Sequence, residues 1–352
     1  MQKEVHTTTL LSVIKYKYAP FFIIVLSGII FGAGYITSSL ITEDKYQDFL
    51  SNFKNIREDT SKYTFINPLV GNISAPATDV GIYTDIKEDI DSYLEKQKKK
   101  GELFNYSFYF RDLNSGLWFG SNELESFFPA SLFKLPIALA AYKQTEDKPG
   151  FINTMVVYTE DIAKRNEVVQ INAVSTLTIG KAYSIEYLIE RMLIDSDNGA
   201  KDLILSVLDM KYFDDLFQTV SFVDYNTDNK YSLSSCKYSL FLRVLYGSSY
   251  VNETHSELIM SLLTKSEYKD GLVGGIPGSV KVAHKFGTYQ FDEEEKGVTV
   301  SSRQLHDCGV VYHLENPYVI CFMTKGKDLE TLQKIIGHIS SLVYQYQSEG
   351  DH

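Results

Sequence analysis

Phe128-Pro129-Ala130-Ser131-Leu132-Phe133-Lys134-Leu135-Pro136 is the stretch on which the reading of this chain turns. Ser131 and Lys134 are three residues apart, so at a helix start they share a face and the lysine amine reaches the serine hydroxyl. A serine hydroxyl becomes nucleophilic only when a base takes its proton. A lysine can be that base only if burial or a nearby cation lowers its pKa. The apolar neighbours Phe128, Leu132, Phe133 and Leu135 offer such burial. Alone, the same spacing reads more readily as an N-capping serine beside a solvated lysine.

Two more stretches bear on it. Ser196-Asp197-Asn198 separates the apolar helical segment Tyr187–Ile194 from another at 199–208, a setting that also suits a plain turn and N-cap. Val282-Ala283-His284-Lys285-Phe286-Gly287-Thr288 places a lysine on a strand, followed by a glycine where a second backbone can come close. On its own this too reads as a surface lysine before a turn glycine.

The surrounding pattern supplies the architecture. Ile82, Ile86, Ile90 and Leu94 recur every four residues and predict a helix over 83–99, ending in the basic run Lys96–Lys100 before Gly101. Alternating aromatics predict a strand over Phe104–Phe110, with Asn114-Ser115-Gly116 turning into Leu117–Phe119. Residues 130–265 read as mostly helical, strands return at 280–288, 305–312 and 317–324, and a helix over 328–346 closes the chain. Strands at both ends with helices between predict an α+β fold: one antiparallel sheet built from both ends of the domain, packed against a helical region.

The 352 residues are 44% hydrophobic and 22% charged, an ordinary globular composition. A net charge of −11 argues against nucleic-acid binding. Three cysteines without metal-ligand spacing argue against a disulfide scaffold or a metal centre. Tyr18 to Thr42 is an uncharged run able to span about 37 Å as a helix, longer than a hydrocarbon core of about 30 Å. Lys3, Lys15 and Lys17 precede it while Glu43 and Asp44 follow, which predicts a cytoplasmic tail at 1–17, a transmembrane anchor at 18–42 and an exported remainder. A polar, helix-spaced segment (Tyr46, Phe49, Leu50, Phe53) and a Pro/Gly-containing linker then form a stalk over 43–81, leaving the main domain at 82–347.

Ser-x-x-Lys, Ser-Asp-Asn and Lys-x-Gly-Thr in this order make the chain from about 83 to 346 resemble a class A β-lactamase or penicillin-binding serine hydrolase. His306–Tyr312 and Asn316–Ile320 are similar to that superfamily's closing hairpin. The resemblance implies an acyl-serine mechanism: Ser131 attacks, Lys134 is base or relay, Ser196 passes the proton to the leaving nitrogen, and Lys285 supports Ser196. Asn198 would hold the substrate amide, and Thr288, with Lys285, its carboxylate. The N–H groups of Ser131 and Thr288 would form an oxyanion hole that Gly287 keeps open. It implies no cofactor and no metal, and as partner a β-lactam or a D-Ala-D-Ala-type peptide of peptidoglycan.

The pattern also breaks. Class A β-lactamases carry a deacylating glutamate after Ser-Asp-Asn, and residues 199–240 contain no glutamate; Asp224 and Asp228 are the candidates left to activate water. Phe286 replaces a hydroxyl residue, and Cys308 stands where many relatives have arginine, with Arg303 or Lys281 as possible substitutes. In a hairpin turning at Leu314-Glu315, Cys308 and Cys321 face each other and can form a disulfide, leaving Cys236 over. Three readings follow: a β-lactam hydrolase; a D,D-peptidase or transpeptidase, favoured by the missing glutamate; and a non-catalytic cell-wall binder.

Overall fold

The computed structural model describes residues 56–57, 63–71, 83–167, 177–221, 232–295, 298–314 and 316–349. Along the chain run β1 (Ile56–Arg57), β2 (Leu69–Gly71), α1 (Thr84–Lys99), β3 (Leu103–Asp112), β4 (Trp118–Ser121), α2 (Lys134–Asp147), β5 (Met155–Val157) and α3 (Glu160–Glu167). They continue with β6 (Ala182–Ser184), α4 (Ile185–Ile194), α5 (Asn198–Val207), α6 (Met210–Ser221), α7 (Ser235–Tyr246), α8 (Glu253–Thr264), β7 (Val282–Glu295), β8 (Val298–Val311), β9 (Tyr318–Gly326) and α9 (Leu329–Ser348).

The main sheet is antiparallel in the order β4-β3-β9-β8-β7, so strands from both ends of the domain do form one sheet. Aromatic residues of β3 and β4 (Phe108, Phe110, Phe119) are buried on it beside Tyr83 and Tyr318. Its other face packs on the helical region through Cys308, Val310, Val319, Cys321 and Met323. At the centre of that region α2 is apolar almost all round; Leu135, Ala138, Leu139, Ala140 and Ala141 are fully buried. A helix hydrophobic on every side belongs inside other helices. Pro136 is harmless there because it sits in the first turn, where backbone N–H groups have no intrahelical partner.

Three expectations need correction. Within 43–62, the described residues Ile56–Arg57 form a strand paired with Leu69–Gly71 rather than a helix. Residues 63–68 are not a free linker: Ile66 is buried in the core, and Thr64 and Phe65 donate their backbone N–H groups to the Glu257 carboxylate at 2.9 and 2.8 Å. Asn67 N–H reaches Tyr246 O at 2.7 Å. An apolar side chain and a helix-borne carboxylate thus pull this segment onto the body. Finally, β7 and β8 extend well past 288 and before 305, through an acidic stretch (Asp292–Glu295) whose residue types are poor strand formers. Among the described residues no helix is long and apolar enough to cross a membrane; residues 18–42 lie outside them.

Cys308 and Cys321 are directly opposed on β8 and β9 and are joined by a disulfide. Both are fully buried. Titration of free thiols in denaturant without reductant is expected to find one, Cys236; three would contradict the bond.

One buried histidine ties the sheet to the segment before Ser131. His306 on β8 accepts Thr324 N–H at Nδ1 (3.2 Å), and its Nε2–H donates to Phe128 O (3.0 Å). Burial pushes its pKa down to about 4 from 6.5. The folded chain thus binds fewer protons than the unfolded one between these values, so the stability is full above pH 6.5 and lost as pH falls through the window. The loss is on the order of 3 kcal/mol. His306→Gln should flatten the decline of Tm between pH 6.5 and 4; an unchanged slope would remove His306 from the account.

Candidate active site

Ser131 lies in a 3-10 turn, Ala130–Phe133, that runs straight into α2, and Lys134 is the first residue of that helix. The pair therefore occupies a helix start, as its spacing suggests, and Lys134 Nζ is 2.9 Å from Ser131 Oγ. Ser131 stays partly exposed while Lys134 is 1% exposed. Ser196 falls in the break between α4 and α5, and its Oγ is 3.0 Å from both Lys134 Nζ and Lys285 Nζ. Lys134 also donates to the Ser196 carbonyl. Lys285 is completely buried, bonds the Phe286 carbonyl at 3.2 Å and lies 4.5 Å from the Phe286 ring centroid. Four residues from three motifs thus form one chain: Ser131, Lys134, Ser196, Lys285.

Two of these connections bend the backbone into a region that side chains disfavour. Ala130 has φ 49° and Ser196 has φ 59°. Each costs about 1–2 kcal/mol and persists because neighbours fix it. Leu132 O accepts from the buried Tyr238 hydroxyl at 3.2 Å, Phe128 O is held by His306, and Ser196 O by Lys134. Asp197, read as a possible cap, is one: its carboxylate accepts Ala200 N–H at 3.0 Å. The capping and chemical readings of Ser-Asp-Asn therefore apply to different residues of the same triplet.

The electrostatics separate the two lysines. Burial drives Lys134 well below the ordinary lysine range, and the positive charges of Lys285 and Lys201 push it further, against Asp197 and Asp202. Burial brings Lys285 down to about 7, with Asp307 pulling the other way. An amine whose basicity is lowered in this way, beside a hydroxyl, is what general-base chemistry requires.

Asn198 is the first residue of α5 and half-buried, and Thr288 is half-buried on β7 opposite Leu305. Gly287 lies opposite His306. A Cβ at Gly287 would stand 2.9 Å from Ser131 N, 3.0 Å from Pro129 O and 3.2 Å from Leu132 N. All three are backbone atoms, so β7 approaches the serine turn to a distance that only glycine permits. The Phe286 ring stacks on Tyr268, ring centroids 4.0 Å apart. Arg303 lies opposite Gln290, two residues beyond Thr288 along β7, and Lys281 is exposed just before β7. Asp224 and Asp228 lie outside the described residues. Among the described residues no cluster of three or more His, Cys, Asp or Glu could hold a metal ion.

Sequence reasoning passed over His306, Asp307 and Tyr238. In the sequence His306-Asp307 reads only as part of a hairpin, and a lone buried tyrosine gives no spacing signal. Gly287→Ala should open the gap between β7 and the serine turn and lower any Ser131 acylation rate by roughly 10²-fold or more with the fold retained; a rate within a fewfold of wild type would show that the close approach is not needed.

The fold has counterparts among solved structures. A variant of PBP-A solved as an acyl-enzyme complex with penicillin G superimposes with TM-score 0.63 at 18% identity, covering 79% of this chain and all of that one. A β-lactamase from Chitinophaga pinensis gives 0.62 at 15% identity, covering 75% and 99%. The class A β-lactamase from Mycobacterium abscessus gives 0.59 at 18%, covering 74% and 99%. At such identities these likenesses establish the fold. No curated protein sequence matches. The family described as "Beta-lactamase enzyme family" matches residues 85–347, three quarters of the chain, and with this fold and these motifs the chain belongs to that family.

Proposed function

We propose that this protein is an active-site-serine hydrolase that takes β-lactams through an acyl-Ser131 intermediate. The observation that carries the reading is the continuous polar chain from Ser131 Oγ through Lys134 Nζ and Ser196 Oγ to Lys285 Nζ. In this reading Lys134 takes the Ser131 proton as Oγ bonds the carbonyl carbon. The proton passes by way of Ser196 to the lactam nitrogen as the C–N bond breaks, and water later cleaves the ester. Asn198 orients the substrate amide, Lys285 and Thr288 take the carboxylate, and the N–H groups of Ser131 and Thr288 receive the oxyanion. The uncharged run at 18–42 and the lysines before it support an anchor in the cytoplasmic membrane with the catalytic domain outside.

A second reading, a D,D-peptidase or transpeptidase acting on peptidoglycan stem peptides, is favoured by one observation: residues 199–240 lack any glutamate to activate the deacylating water. Both readings share acylation and differ in the fate of the ester. The chain truncated before residue 43 is to be mixed with a chromogenic cephalosporin, following absorbance and intact mass beside Ser131→Ala. The expected outcome is one adduct per protein on Ser131 followed by slow turnover, with no adduct in the variant. A stable adduct together with cleavage of a D-Ala-D-Ala peptide would support the second reading, and no adduct in either protein would overturn both.

A further inference from the structure

The main sheet has two edges. One, β7, serves the serine turn; the other, β4, lies four strand spacings away, about 19 Å across the sheet. Asp112 N–H bonds Leu117 O at 2.9 Å, and this fixes which residues of β4 face β3. Bonded and non-bonded pairs alternate along an antiparallel ladder, so Phe119 and Ser121 exchange hydrogen bonds with Phe110 and Phe108. Trp118 and Gly120, opposite Arg111 and Tyr109, therefore turn their N–H and C=O groups outward. Among the described residues these outward groups make no hydrogen bond. Edges that are kept from pairing commonly carry lysine, proline or a bulge. Trp118–Ser121 has none of these, and its register with β3 is unbroken.

The same two residues line a groove of about 500 Å³ whose other wall is helix α1. Lys87, Asp91 and Glu95 follow one another at four-residue steps along that wall, and Glu123 lines the groove where β4 ends. Lys87 is paired with Asp91 at 2.7 Å. Glu95 reaches the exposed Lys98 at 3.5 Å. Glu123 folds against Gly120, where a Cβ would stand 2.6 Å from its Cβ and 3.0 Å from its Oε2. Its carboxylate has no hydrogen bond or ion pair among the described residues. Three carboxylates thus border the groove against one ammonium group.

We propose that the groove between β4 and α1 is a docking site for an extended, basic peptide segment of a partner protein, which adds to the sheet as a strand at Trp118 and Gly120. Two features choose this occupant. Outward N–H and C=O groups on alternate residues are matched by a second extended backbone, which offers the same groups at the same spacing. The surplus of carboxylates favours lysine or arginine side chains on that backbone and disfavours acidic ones. The chain's own residues 72–82, which precede α1 in sequence, hold Pro76, Asp79 and no cation, so they lack that complementarity. The proposal does not depend on the acyl-serine chemistry at the opposite edge.

Trp118 is the one tryptophan of the chain, so its fluorescence reports on the groove directly. The full-length chain is to be titrated with a capped hexapeptide of alternating lysine and threonine, and with its glutamate counterpart. The lysine peptide should shift the Trp118 emission saturably, and the glutamate peptide should not. Glu95→Gln combined with Glu123→Gln should weaken the lysine peptide about tenfold. Amide hydrogen exchange supplies a readout that charge attraction alone would leave unmoved. The lysine peptide should slow exchange at Trp118 and Gly120, while Phe119 and Ser121, already bonded to β3, stay as they were. Unchanged emission together with unchanged exchange at Trp118 and Gly120 would overturn the proposal. Equal binding of the glutamate peptide would do the same. So would slow exchange at both amides in the free chain, since the chain's own residues or a second copy would then already occupy the edge.

Discussion

Everything in this structure that bears on chemistry depends on one arrangement: a single hydroxyl, Ser196 Oγ, held between two lysine amines that are both withdrawn from water. Burial makes charge expensive on either amine, and their mutual repulsion means that a second charge costs more than the first. Both amines are therefore held below the ordinary lysine range, Lys134 the more strongly worked on by the neighbouring positive charges. The three sequence motifs each bring one or two members of this arrangement. The fold's task is to bring them within 3 Å of each other from a helix start, an inter-helix break and a sheet edge.

That task has an energetic cost, visible as left-handed backbone at Ala130 and Ser196. The structure offsets it with buried hydrogen bonds whose other ends are anchored in rigid elements: Tyr238 on α7, His306 on β8 and Lys134 at the head of α2. Strain and support come together because the serine turn keeps its side chain partly exposed while its backbone N–H faces β7. The close approach at Gly287 is the other half of the same geometry.

Much of this was legible from residue order alone, for identifiable reasons. Helix α1 and strand β3 announce themselves because their apolar periods are unbroken, and the Cys308–Cys321 pairing follows from hairpin register, which has a period of two and admits no half steps. The site lysines were legible because three short motifs occur in order on compatible elements. What stayed hidden is what only tertiary contact decides. The acidic end of the β7–β8 hairpin pairs through its backbone despite its side chains, and residues 63–68 join the body through Glu257, nearly 200 residues away in sequence. The role of His306 depends on which face of its strand it occupies, and a motif search does not read that. The segment holding Asp224 and Asp228 is the part of the deacylation question on which the described structure is silent.

The disulfide between β8 and β9 has a consequence for how the protein comes into being. Its sulfurs are sealed in the core beside the strand that carries Lys285, so oxidant does not reach them once the sheet is assembled. The bond must form while the hairpin is still open, that is, before or during closure of the sheet. Molecules that mature in a reducing compartment would close first and stay reduced. Two populations of identical sequence and near-identical shape would then differ by a cross-link worth about 3 kcal/mol, each carrying in its core a permanent record of where it folded.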